Sequence, residues 1–491
     1  MSLNTGMEVQ MSLSLVKPRS AKPKAEATSK ADVLPFHKTL RLMMPKLGVS
    51  FLFVMLLSVY NRVMITELKI GAVVVGFLYL CYNLMNILQV SNGRLADRRT
   101  IFGLRRTPLM FIGLMLSAGS LIGLPHVAPL FAKGDSSALV LMILIMMGFG
   151  LGFAMNGDSH NTLIAEMTEG KKNRPGVVSA VWLFQMVCIV GSGIAVSIIL
   201  RNAETNAGID ALCKTAECVT ARGQVALSLM PSLFLAGPIV CLLGLLPIIG
   251  LETRLSRDQV KTLQARPPLN LKQAYTRIFS NSQTRVFFFF VFVAIFSLFL
   301  QDDILEPFGG DVFKLAASST SQFQPIMGSA TILAMLLVGI IASRWPIPKR
   351  TIANIGAVIS LIGFALLAVS AMTHQLPLLY GGMVTLGFGM GTFNIGALSM
   401  MMDMTVPGET GSLMGAWGMS QALANGMSQF VGGGIRDAGI ALTGNYEASY
   451  ASIFCTSIVL CIVAVNLMAR VDVQKFRRMT REQLGPTIEA A

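Results

Sequence analysis

Twelve stretches of about 20 predominantly apolar residues recur along the chain, each closed by a short polar interval. They fall near 45–65, 70–91, 108–130, 139–165, 176–200, 225–249, 286–306, 317–342, 352–372, 377–403, 411–433 and 449–470. A hydrocarbon core of about 30 Å is crossed by about 20 helical residues at 1.5 Å each, so every stretch predicts one membrane-crossing helix. Spans four and ten are the two that polar residues interrupt. Six spans precede and six follow a polar stretch holding Pro267 and Pro268. The expected layout is a tail at 1–44, a six-helix half at 45–250, a linker at 251–285, a second half at 286–470 and a tail at 471–491. The expected fold class is an all-α integral membrane protein of twelve helices in two pseudo-symmetric halves.

One long pattern occurs twice. GFGLGFAMNGDSHNTLIAEMTEGKKNRPGVVSAVW starts at Gly148, and GFGMGTFNIGALSMMMDMTVPGETGSLMGAW starts at Gly387. Matching Gly148 with Gly387, Glu166 with Asp403 and Trp182 with Trp417 gives offsets of 239, 237 and 235 residues (387 − 148, 403 − 166, 417 − 182). A helix, a polar turn and a helix repeated in the same order is a duplication. The same order in both copies predicts a parallel repeat about an axis along the membrane normal. The glycines at 148, 150, 152, 387, 389 and 391 predict close helix packing, where small residues are favoured.

Composition agrees: 53% of residues are hydrophobic and 13% charged, against about 25% charged in an average soluble domain. The net charge of +14 invites a nucleic-acid reading, but its distribution removes it. Of 39 Lys and Arg, 31 fall on the side that holds both termini and 8 on the other. Such a bias sets orientation and places both termini in the cytoplasm. The first forty residues lack an apolar core and read as a disordered tail, not a signal peptide. No phosphate-cradling GxxxxGK[ST] occurs, which argues against ATP-driven transport encoded in this chain. No nucleophile–base pairing stands out, so the chain is expected not to be an enzyme. Cys213 and Cys218 sit in the far-side loop between spans five and six. They read either as a local disulfide or as two thiols.

Between spans two and three, GRLADRRTIFGLRR resembles the cytoplasmic signature of the major facilitator superfamily. Gly93, Asp97, Arg98, Gly103, Arg105 and Arg106 stand on its landmarks, with extra residues between Arg98 and Gly103. The resemblance implies a conformational latch that touches no substrate. A closer likeness covers most of the chain: YNRVMITEL (60–68), ADRRTIFGLRRTP (96–108), RPGVVSAVW (174–182), QDDILEPFGG (301–310) and GAWGMSQALANG (415–426). Together these resemble the bacteriochlorophyll delivery family of PucC/LhaA type. Asp303 and Phe308 depart from that family's pattern, where an apolar residue and Tyr are expected. The resemblance implies bacteriochlorophyll or chlorophyll as bound cargo, and light-harvesting antenna polypeptides as partners beside the lipid bilayer. It further implies a bacterial inner or photosynthetic membrane. Two other readings remain, a proton-coupled small-solute facilitator and a non-transporting assembly scaffold.

Three groups of residues carry the expected chemistry. Asn61 and Arg62, with Glu67, end span one, and Gln301, Asp302 and Glu306 end its counterpart, span seven. There Arg62 is expected to face Asp302 or Glu306 as an outer gate, or else to lie at the interface. In span four, His160 lies six residues before Glu166, about 9 Å along the helix. A neutral imidazole there is a candidate ligand to a pigment magnesium, or a hydrogen-bonding link to a neighbouring helix. Asn156 shares its face, and Asp158 points elsewhere. Trp182 and Trp417, matched in the two halves, either brace a turn or stack on ligand. Gln421 belongs with the family-like GAWG segment.

Overall fold

The computed structural model describes residues 33–88, 100–169, 171–209, 215–255, 282–345, 347–403 and 410–471. The first half contains α1 (Phe36–Glu67), α2 (Ala72–Met85), α3 (Thr107–Ala132), α4 (Ser137–Met167), α5 (Gly176–Asn206) and α6 (Glu217–Ile248). The second contains α7 (Ser282–Phe299), α8 (Ala317–Ala342), α9 (Lys349–Thr373), α10 (Leu376–Met401), α11 (Thr410–Thr443) and α12 (Tyr446–Ala469). Among the described residues ten of these are long and apolar enough to cross a membrane. The other two are α2, with 14 residues, and the glycine-rich α11, with 34. A short helix, Leu305–Asp311, joins α7 to α8. Successive helices alternate in direction, so the start of α1 and the end of α12 share one side, here the terminal side.

Each half has its own apolar core. One is built from α1 to α6 with residues such as Tyr60, Phe149 and Phe234. The other is built from α7 to α12 with Phe290, Phe308, Phe364 and Tyr450. Across the halves, α2 lies along α11 and α5 along α8.

α1 begins earlier than the apolar pattern suggests, at Phe36 instead of 45. Its first residues are amphipathic and tied down by Arg41, which donates to the Pro247 and Ile249 carbonyls at 2.7 Å each. Toward the far side α1 winds into π-helical turns at Met55–Tyr60 and Val63–Glu67. Such wide turns shift the following side chains around the axis, and they hold Ser58, Asn61 and Arg62 within the protein.

The repeated pattern is real, but its register is not the one the leading glycines suggest. A Cβ on Gly113 of α3 would meet the Gly152 oxygen and the Asn156 nitrogen of α4; one on Gly356 of α9 would meet the Gly389 oxygen and the Phe393 nitrogen of α10. Gly152 thus corresponds to Gly389 and Asn156 to Phe393, an offset of 237 in both cases (389 − 152, 393 − 156). Likewise Gly150 presses on α2 at the Tyr82 oxygen and Gly387 on α8 at the Met327 oxygen. The Gly148–Gly387 match is therefore two residues out, whereas the Glu166–Asp403 match keeps the right spacing.

Candidate functional site: a buried polar layer between the halves

The far side of the molecule carries polar groups that a helix in lipid would not hold without partners. Ser58, Asn61, Arg62, Gln301, Asp302, Asp303, Glu306 and Asp311 are all at least nine-tenths buried. They meet because the end of α1 lies against the connection from α7 to α8. Ser58 donates to the Glu306 carboxylate and the Asn61 amide donates to the Asp303 carbonyl. Arg62 Nη2 donates to the Leu315 carbonyl at 2.8 Å. Its guanidinium lies over Gly310, where a Cβ would stand 3.0 Å from Nε.

Of the two residues Arg62 is expected to face, Glu306 lies close enough for their charges to interact, but neither Glu306 nor Asp302 forms its ion pair. Arg62 ion-pairs with Glu67 on its own helix, Nη2 to Oε1 3.3 Å. The five-residue step, lengthened by the π-helical turn, brings these two side chains onto one face. Glu306, near Arg62 but not bonded to it, accepts from Ser58, and Asp302 faces Gln324 of α8. Glu67 also packs on α6, where a Cβ on Gly223 would collide with its Oε2. Both oxygens of Asp303, Oε2 of Glu306, Oδ1 of Asn61 and both polar atoms of Gln301 are buried with no hydrogen-bond partner among the described residues. Unsatisfied groups at this density are costly to bury.

A second knot was not foreseen from sequence. Arg436 of α11 donates Nη2 to Asp311 Oδ2 at 2.6 Å and Nε to the Tyr450 hydroxyl at 2.7 Å, while Tyr450 donates to the same Asp311 oxygen at 2.7 Å. Arg436 also holds Asp437 at 2.8 Å, and Asp437 accepts the Val73 N–H at the start of α2, again 2.8 Å. A carboxylate at a helix N-terminus meets free N–H groups and the positive end of the helix dipole. This one comes from the other half of the molecule. On the α5–α8 side, Ser197 donates to the Ser318 carbonyl (2.6 Å), Ser318 to Glu204 (2.7 Å) and Gln322 to Ser197 (3.0 Å). These cross-half bonds gather at the far side, so the halves are closed there. The available signal was Arg436–Asp437, an adjacent ion pair inside a long helix.

On the terminal side the expected residues take mostly structural places. His160 has no exposed surface, and its Nε2 is 2.7 Å from the Leu42 carbonyl of α1. That contact requires a proton on Nε2 and leaves Nδ1 buried with no partner among the described residues. The lone pair left for a metal is on Nδ1, which is enclosed by protein, so this geometry favours the helix-linking role over ligation. Asn156 donates to the Met110 carbonyl of α3 at 3.2 Å. Asp158 is half-buried and Gln421 exposed.

The two matched tryptophans differ. Trp417 is fully buried against Phe287, ring centres 5.2 Å apart. Trp182 is 46% exposed and covers the buried amine of Lys46, 4.7 Å from its ring centre. Of the residues expected to form a latch, Arg105 and Arg106 pair with Glu166 at 3.1 and 3.0 Å. Glu252 accepts the backbone N–H groups of Arg105, Arg106 and Thr107 at 2.7, 2.9 and 2.7 Å, capping α3. Gly93, Asp97 and Arg98 lie outside the described residues. Cys218 is disulfide-bonded; Cys213 lies outside the described residues.

A family profile described as PUCC protein matches residues 59–476. The chain belongs to the PUCC protein family. Two relatives illustrate this PucC membership. The chain is 25% identical over 426 residues to Protein PucC of Rhodovulum sulfidophilum, covering 85% of this chain and 88% of that one. It is 28% identical over 406 residues to a protein of Rhodobacter capsulatus called bacteriochlorophyll synthase 44.5 kDa chain, covering 81% and 86%. In three dimensions the PucC-family chain is similar to the nucleoside transporter NupG, with TM-score 0.60, 16% identity and coverage of 88% and 98%. It is similar also to the xylose transporter XylE from E. coli, with TM-score 0.61, 14% identity and coverage of 87% and 96%. The fold is therefore that of the major facilitator superfamily, and the protein is a multi-pass membrane protein linked by family to light harvesting.

Proposed function

We propose that this protein handles a bacteriochlorophyll-type pigment during assembly of light-harvesting complexes, and that it performs no covalent chemistry. The observation that carries the reading is the PUCC profile running through both halves, residues 59–476, on a transporter fold. The word synthase belongs to one relative's name. Lipid surrounds the protein, and antenna polypeptides are its proposed partners. In this reading the bacterial inner or photosynthetic membrane holds the chain with both termini cytoplasmic. Asn61, Arg62, Glu67, Gln301, Asp302 and Glu306 form the far-side closure, with Arg105 and Arg106 part of the latch opposite. Trp182, half-exposed above Lys46, offers an aromatic face for a planar ligand.

The test is purification from a phototrophic host in mild detergent, followed by absorption spectroscopy and pigment extraction. Red-absorbing pigment at a fixed ratio to protein is the expected result. Pigment-free protein that still captures antenna subunits would make it a scaffold. A second reading, a proton-coupled solute transporter, is favoured by one observation, the buried carboxylate oxygens between the halves that have no hydrogen-bond partner among the described residues, both of Asp303 and Oε2 of Glu306. That reading predicts solute-driven proton movement in proteoliposomes and no pigment.

A further inference from the structure

A groove of about 620 Å³ opens sideways where α5, α8 and α10 meet. Its walls are apolar: Ile194 and Ile198 from α5, Leu333 from α8 and Val384 from α10 are each about half exposed. At the far-side end the groove stops at Arg201 and Gln322. The amide of Gln322 is already committed to Ser197, and that hydroxyl to the Ser318 carbonyl. Arg201 is different. Among the described residues its guanidinium makes no ion pair or hydrogen bond. It lies five residues before the end of the 31-residue α5, so a core of about 30 Å centred on that helix puts it at headgroup level.

The dimensions point to one class of occupant. From Gln322 to Leu333 the groove follows α8 for 11 residues, about 16 Å at 1.5 Å per residue. Half of a 30 Å hydrocarbon core is about 15 Å. The groove is thus as deep as one leaflet, apolar along that depth and cationic at its mouth. A charge-assisted, two-pronged contact of Arg with a phosphate oxygen pair would complete the unpaired guanidinium. We propose that the groove binds an anionic phospholipid of the far-side leaflet, one acyl chain lying between α5, α8 and α10 and the phosphate on Arg201. The lipid bridges the seam between the halves, beside the Ser197–Ser318 and Ser318–Glu204 bonds. It therefore braces the closed far side. This inference does not rest on the pigment reading.

The experiment compares wild type, Arg201→Gln, Arg201→Lys and Ser329→Trp, purified from membranes containing phosphatidylglycerol. Ser329 lines the groove and is exposed, so a Trp there fills the channel without touching Arg201. Retained lipid is extracted and counted per protein by mass spectrometry, and a monodisperse elution profile checks folding. Wild type is expected to retain about one phosphatidylglycerol, Arg201→Gln about tenfold less, the size of a single 1.4 kcal/mol contact. Arg201→Lys should recover part of it, and Ser329→Trp should lose it with Arg201 in place. Equal retention in Arg201→Gln, or undiminished retention in Ser329→Trp, overturns the proposal. So does a wild type that holds phosphatidylcholine as well as phosphatidylglycerol in mixed nanodiscs, or one whose groove releases pigment instead of lipid when Ser329 becomes Trp.

Discussion

The seam between α2 and α11 can be forced open by a single methyl group. A Cβ on Gly76 would stand 2.5 Å from the Gln429 carbonyl oxygen and 2.7 Å from the Phe430 Cα. Both are backbone atoms, so no rotamer change relieves the contact. Ordinary contact begins at 3.4 Å, and Gly76→Ala therefore requires the two backbones to part by about 0.9 Å (3.4 − 2.5). On the same seam, the 2.8 Å bond from Val73 N–H to Asp437 would stretch to about 3.7 Å, beyond hydrogen-bond range. Loss of a bond to a charged group costs about 1.5–3 kcal/mol and overpacking about 1–3 kcal/mol, roughly 2.5–6 kcal/mol together. At 1.4 kcal/mol per decade the closed arrangement loses a factor of roughly 10² to 10⁴.

Spin labels on Lys133→Cys and Gln375→Cys, exposed on the far side of the two halves, would report this by pulsed dipolar distance measurement once the free cysteines are replaced. The expected result is a shift of the distance distribution to longer values. Gly433→Ala, whose Cβ would collide with the Ala72 oxygen, should do the same. Gly119→Ala, with nothing within 4 Å, should not. A Gly76→Ala protein with the wild-type distribution and thermal stability would refute the reasoning.

Three further outcomes are expected. Arg436→Gln strands the buried Asp311 carboxylate with Tyr450 alone and should destabilise the protein by about 3–5 kcal/mol in denaturant titration; adding Asp311→Asn should recover part of that loss. The double reversal Arg62→Asp with Asp302→Arg should fail to restore function, whereas Arg62→Glu with Glu67→Arg should restore some of it, because the 3.3 Å pair joins Arg62 to Glu67; complementation of light-harvesting complex formation would separate the two. His160→Phe and His160→Gln should leave bound pigment unchanged, read by absorption, while Phe lowers stability by about 1–3 kcal/mol through the orphaned Leu42 carbonyl; pigment lost in Phe and partly kept in Gln would return His160 to the binding site.

The helices were legible in the order of residues alone. In lipid every backbone group must be satisfied within its own segment, so an apolar run of sufficient length has little choice but to be a helix. The duplication was legible too, and so, through motifs such as QDDILEPFGG, was the family that the PUCC match bears out. How each helix is turned was left to packing in three dimensions. A helix apolar on all sides carries no stripe that says which face points inward, and at about 100° per residue a two-residue error in register turns a side chain by about 200°, to the opposite face. The Gly148–Gly387 match erred in this way, and only the contacts of Gly113 and Gly356 set the offset at 237. Rotation also put His160 against the Leu42 carbonyl and buried Trp417 while leaving Trp182 half-exposed. The π-helical turns of α1 sent Arg62 to Glu67, and the far-side closure brought Asp437 to the start of α2. Partners separated by hundreds of residues are chosen by packing between helices, and a local pattern of polar and apolar positions holds no record of that choice.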